Sequence, residues 1–130
     1  MKWGLKDKKK YSISKFFKSF SYAFLGIKTA CKNEQNLLFD IIFSIIVIIL
    51  SLILKISIME FTIVLLCIAL VITLELVNTA IEYTVDLAMP RIHPLAKKAK
   101  DIAAGAVLIG AIIAFIIGVI IFLPKVLELF

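Results

Sequence analysis

The stretch IAAGAVLIGAIIAFIIGVIIFL, Ile102–Leu123, decides the fold, because its 22 residues carry no polar side chain. At about 1.5 Å of rise per residue it makes a helix of about 33 Å, enough to cross a hydrocarbon core of roughly 30 Å. Two more apolar runs precede it. Ile58–Ala80 is interrupted by Glu60, Thr62, Thr73, Glu75, Asn78 and Thr79, and Leu37–Leu54 by Asp40, Ser44 and Ser51. Open sheet edges are not tolerated in lipid, so all three are predicted as helices. The expected fold is an all-α membrane protein with spans at about 37–54, 58–80 and 102–123.

Composition supports this. The chain is 62% hydrophobic with a mean hydropathy of +1.09, against roughly 45–50% apolar residues in soluble domains. Its 130 residues allow one domain. Cys31 and Cys67 make no disulfide framework or zinc pattern, and the single His93 excludes a histidine-rich metal site. No G-x-x-x-x-G-K is present, which excludes a P-loop. The net charge of +6 points to a membrane surface, and no nucleic-acid partner is expected.

The first 35 residues are expected to be cytoplasmic and interfacial, not a signal peptide: Lys2, Lys6, Lys8, Lys9 and Lys10 are followed by no uninterrupted apolar region. Ile13, Phe16, Phe17, Phe20, Phe24, Ile27 and Cys31 recur at spacings of three and four, with Lys15, Lys18, Lys28 and Lys32 mostly off that stripe. This predicts an amphipathic surface helix, aromatics down and lysines toward anionic headgroups. Nine of the 15 basic residues precede the first span, and Arg91, Lys97, Lys98 and Lys100 lie between spans two and three. Only Lys55 and Lys125 flank the other side, so the N-terminus and the 91–100 loop are expected in the cytoplasm, at the inner membrane.

Function is expected at the inner end of span two. Glu75, Asn78, Glu82 and Asp86 fall within about 80° of one another on a helical wheel. Carboxylates at membrane depth are costly and usually face a bundle interior or a functional site. Glu34, at the mouth of span one, lies level with Glu82, and Asp40 lies about 9 Å below it, near the depth of Glu75. The wet pair Glu34 and Glu82 suits Mg²⁺, which takes one or two carboxylates and fills its shell with water and phosphate. The buried layer suits proton transfer, with Glu75 as general base. Lys97, Lys100, Asp101 and Ala104 share one face of a helix that Pro94 can open, and Lys100 is placed to neutralise phosphate oxygens. His93 reads as a loop contact or helix cap. Ala106, Gly110, Ala114 and Gly118 form a small-residue ridge for helix packing. Three helices enclose little volume, so a homo-oligomer with sites between helices or subunits is expected.

ELVNTAIEYTVD (Glu75–Asp86) and AKDIAAGAVL (Ala99–Leu108) closely resemble the signature segments of the small bacterial diacylglycerol kinase and undecaprenol kinase family, over roughly Ser14–Leu123. The resemblance implies a homotrimer of three-span chains that moves the ATP γ-phosphate to a lipid hydroxyl with Mg²⁺. It implies the base position for Glu75, the metal positions for Glu34 and Glu82, and support of the base for Asn78. It further implies nucleotide contacts for Lys100 and Asp101, for Lys15, Tyr22 and Gly26 on the surface helix, and for the loop residues Arg91, Ile92 and His93. Glu75, Asn78, Asp40 and Ala104 are then the substrate-facing set. Lys15 stands where some members have arginine. Ala103-Ala104-Gly105 replaces the Gly-Ser-Ala of diacylglycerol-specific members, and HPLAKKAKDIAAGAVL looks like the Gram-positive undecaprenol type. The implied acceptor is therefore undecaprenol, with diacylglycerol as the alternative. A proton-coupled transporter, more distant, would not need Glu34, Lys100 and Asp101 at the wet face.

Overall fold

The computed structural model describes residues 12–130. The lysine cluster Lys2–Lys10 and the start of the expected 1–35 surface segment lie outside the described residues. Four helices follow one another: α1 (Ile13–Asn33), α2 (Gln35–Ile53), α3 (Ile58–Ala88) and α4 (Pro94–Leu127). The described residues are all helix and short connections, as the apolar runs predict.

Each boundary has a local cause. Ser12 caps α1, its Oγ accepting from the Lys15 backbone N–H at 3.2 Å. Ser57 opens α3 in a reciprocal capping box with Glu60. α3 stops at Ala88 because Pro90 disfavours helical backbone in the residue before it. Pro94 occupies the first turn of α4, where its missing N–H costs nothing, and His93 is the cap. The turn from α2 to α3 is closed by Lys55 in the left-handed region, φ 51°.

Helix length and apolar length differ. α2, α3 and α4 are each long and apolar enough to cross a membrane. With 31 and 34 residues, α3 and α4 reach about 46 and 51 Å, well beyond a hydrocarbon core. The excess of α3 is Ile81–Ala88 and much of that of α4 is Pro94–Asp101, so both overhang at the same, charged end. Several hydroxyls along the helices are satisfied within their own turn: Ser44 Oγ donates to Asp40 O at 2.6 Å, Ser51 Oγ to Val47 O at 2.7 Å and Thr62 Oγ1 to Ile58 O at 2.9 Å.

α3 is the hub. It packs on α4 most extensively, on α2, and on the end of α1, while α2 and α4 do not approach each other. A cleft of about 580 Å³ separates them, with Asp40 at its inner end and Phe43, Val64, Phe115 and Phe122 along its apolar walls. The small-residue ridge works at one point only. A methyl on Gly110 would meet Leu74 Cδ1 at 2.7 Å, whereas Gly118 has nothing within 4 Å and Ala106 is exposed. The ridge is thus not a continuous intrachain seam, because α4 turns Ala103, Gly110 and Ile121 inward instead. Most large apolar side chains stay exposed, including Phe16, Phe17, Phe20 and Phe24 on α1.

Candidate active site

Burial falls steadily along the acid face of α3. Glu75 is 8% exposed, Asn78 and Glu82 are half-buried, and Asp86 is exposed. The helical spacing that places the four residues on one face also carries that face out of the bundle, which makes a buried step and a wet step of one stripe. Asn78 Nδ2 donates to Glu82 Oε1 at 3.2 Å. Its Oδ1 is buried with no hydrogen-bond partner. Leaving such an acceptor unmet costs roughly 1–3 kcal/mol, so an incoming donor is favoured there.

Two further acids converge on this stripe from other elements. Glu34 is the single residue between α1 and α2, in extended backbone at φ −114° and ψ 108°. Its N–H donates to Ala30 O at 2.8 Å, while its side chain makes no capping bond. Asp40 lies half-buried one and a half turns into α2. Glu75 lies within electrostatic reach of the carboxylates of Asp40, Glu82 and Glu34. The structure therefore brings together four acids that lie up to 48 positions apart in the chain. Asn33 Nδ2 donates to the Tyr83 hydroxyl at 3.3 Å and ties the end of α1 to α3 beside them.

The basic residues are arranged across the overhang. Lys100 Nζ pairs with Asp86 Oδ1, joining α4 to the wet end of the α3 stripe. Lys97 pairs with Asp101 along α4. Lys97, Lys100, Asp101 and Ala104 lie on one continuous stretch of α4, and their side chains differ in what they meet. Lys100 turns toward α3, Asp101 turns to Lys97, and Ala104 is exposed beside the buried Ala103. His93 Nδ1 accepts from the Leu95 N–H at 3.1 Å, the cap that its position before Pro94 predicts. Tyr22, Arg91 and Ile92 are exposed, and no hydrogen bond or ion pair joins them to the acids. Lys15 lies in the first turn of α1, and Gly26 has nothing within 4 Å. The partnership of Asp86 with Lys100 and that of Tyr83 with Asn33 are not read from helical periodicity. The first has a sequence signal, opposite charges on either side of the Pro90–Pro94 loop; the second has none.

Among the described residues no three His, Cys, Asp or Glu side chains converge on a cation cage. Glu34 and Glu82 offer hard oxygen donors in a strongly acidic setting, and the Glu34 side chain makes no capping bond. That donor set fits Mg²⁺, which is bound through one or two carboxylates with water and phosphate completing its shell. It does not fit a soft-metal site, which needs thiolate or imidazole.

Three helices of membrane length, with acids and a lysine gathered where two of them overhang, define an integral membrane protein with a polar site at one end of its bundle. The chain belongs to the prokaryotic diacylglycerol kinase family, whose match covers residues 21–122. It is similar to an undecaprenol kinase of Bacillus subtilis, 48% identical over 113 residues, which covers 87% of this chain and 92% of that protein. A diacylglycerol kinase of Synechocystis is 40% identical over 112 residues, covering 85% of this chain and 64% of the relative. The Escherichia coli diacylglycerol kinase is 27% identical over 104 residues, covering 80% and 85%.

Proposed function

We propose that the protein is an ATP- and Mg²⁺-dependent lipid kinase that phosphorylates the hydroxyl of a membrane alcohol, with undecaprenol as the acceptor. The observation that carries the reading is the convergence of Glu34, Asp40 and Glu82 on the buried Glu75, with Lys100 one helix away. The similarity to an undecaprenol kinase over 87% of the chain supports the choice of acceptor.

In the proposed mechanism the lipid tail stays in hydrocarbon and its hydroxyl meets the stripe at Glu75 and Asn78. The unmet Asn78 Oδ1 is available to accept from that hydroxyl. Glu75 takes the hydroxyl proton as the oxygen attacks the γ-phosphorus, and ADP leaves with the bridging oxygen. Glu34 and Glu82 would hold Mg²⁺, which when bound supplies charge neutralisation on the phosphates. Lys100 exchanges its contact with Asp86 for the transferred group, and Asp101 with the loop residues Arg91, Ile92 and His93 borders the nucleotide. Lys15 and Tyr22 on α1 complete that border. Orientation favours positioning and electrostatics over covalent chemistry, as phosphoryl transfer allows. We place the charged end and the N-terminus in the cytoplasm at the inner membrane, and the active unit is a homotrimer.

The test is labelled ATP on purified protein in nanodiscs with undecaprenol and diacylglycerol side by side. Label is expected in undecaprenyl phosphate; label confined to phosphatidic acid replaces the acceptor, and label in neither lipid removes the kinase reading. Glu75→Gln is expected to keep nucleotide binding and assembly while losing turnover.

A further inference from the structure

Glu34 and Glu82 come from different elements, so their separation depends on what ties those elements together. Glu34 is one extended residue between two helices, a natural pivot for α1. Like charges drawn toward one cation resist each other, which favours swinging that pivot open. Opposing this is a contact made by their immediate neighbours. Asn33, the residue before Glu34 and the last of α1, donates from Nδ2 to the hydroxyl of Tyr83, the residue after Glu82, at 3.3 Å.

We propose that the Asn33–Tyr83 hydrogen bond is a positioning contact that fixes the spacing of the Glu34 and Glu82 carboxylates and thereby sets the affinity for a divalent cation. The inference rests on the assignment of the cation to those two acids. Neither Asn33 nor Tyr83 touches the cation or the reacting atoms. Their contribution is preorganisation, since a cation that finds its two carboxylates already at the right separation does not have to close the pivot itself. Both partners are exposed, so the contact is worth what one solvated hydrogen bond supplies. A purely structural bond would change unfolding without moving cation affinity.

The experiment is a Mn²⁺ titration of the full chain in nanodiscs with a non-hydrolysable ATP analogue, following free Mn²⁺ by electron paramagnetic resonance. Asn33→Ala and Tyr83→Phe are each expected to raise the Mn²⁺ dissociation constant about three- to tenfold. The double variant is expected to be no weaker than the singles, because both changes break the same contact. Turnover on undecaprenol at saturating Mg²⁺ is expected to match the unaltered chain. An unchanged Mn²⁺ affinity in Tyr83→Phe, or losses that add in the double variant, overturns the proposal. Glu34→Gln and Glu82→Gln separate the two assignments. If they weaken Mn²⁺ binding while Tyr83→Phe does not, the positioning role fails and the cation assignment stands. If they too leave it unchanged, the cation assignment fails and takes the positioning role with it.

Discussion

The two ends of α3 use the same polar residue types in opposite ways. At the far end Ser57 and Glu60 satisfy each other's backbone groups, and Thr62 donates to Ile58 O one turn back. Every one of these bonds is local and ends a helix or covers a carbonyl. At the charged end Thr84 likewise donates to Ala80 O and Asn78 to Glu82, but other polar groups reach outward. Glu75 faces like charges from α2 and the α1–α2 junction, Tyr83 meets α1, Asp86 meets α4, and Asn78 Oδ1 meets nothing. A helix that needed only to end would close its bonds within a turn. Side chains held in repulsion or left unmet are kept for a purpose other than folding.

That contrast is most open to breakage in turnover. Glu75→Gln is expected to lower lipid phosphorylation by about 10²- to 10⁴-fold, while Glu60→Gln stays near the unaltered rate. A labelled-ATP assay on the pair compares the ends directly, and an inactive Glu60→Gln would break the distinction. Stability should run the other way. Removing the buried charge relieves repulsion and desolvation, so Glu75→Gln is expected to raise unfolding stability by about 1–3 kcal/mol in a denaturant titration followed by circular dichroism. Between the ends, Gly110→Leu is expected to cost about 1–3 kcal/mol because Leu74 already fills the space a methyl would enter. Gly118→Ala, into open space, is expected to cost nothing measurable by the same titration. A further small effect lies at the far-end cap: Ser57→Ala is expected to lose about 1 kcal/mol of stability with phosphorylation intact.

What was legible in the chain follows from what each pattern measures. Apolar runs measure lipid thickness, so they located three helices crossing a membrane but stopped short of Ala88 in α3 and began after Pro94 in α4. Pro94 marked the start of α4, while the end of α3 before Pro90 lay outside that pattern. Helical periodicity put Glu75, Asn78 and Glu82 on one face, because that relation is internal to one helix. It could not show that Lys100 turns to Asp86 while its neighbour Asp101 turns to Lys97, since side-chain pairing across a hairpin depends on how α4 is rotated against α3. The Gly110 contact with Leu74 and the inward Ala103 set that rotation, and neither is visible before the helices meet.

The gap between α2 and α4 has a practical consequence. A bundle with an open cleft between its second and fourth helices lacks one wall, and the surroundings must provide it. Once the bilayer is dissolved, the alkyl chains of the chosen amphiphile take that place. The solubilising agent then becomes part of the tertiary structure, and its tail length and rigidity decide whether α2 keeps Asp40 and Glu34 beside α3.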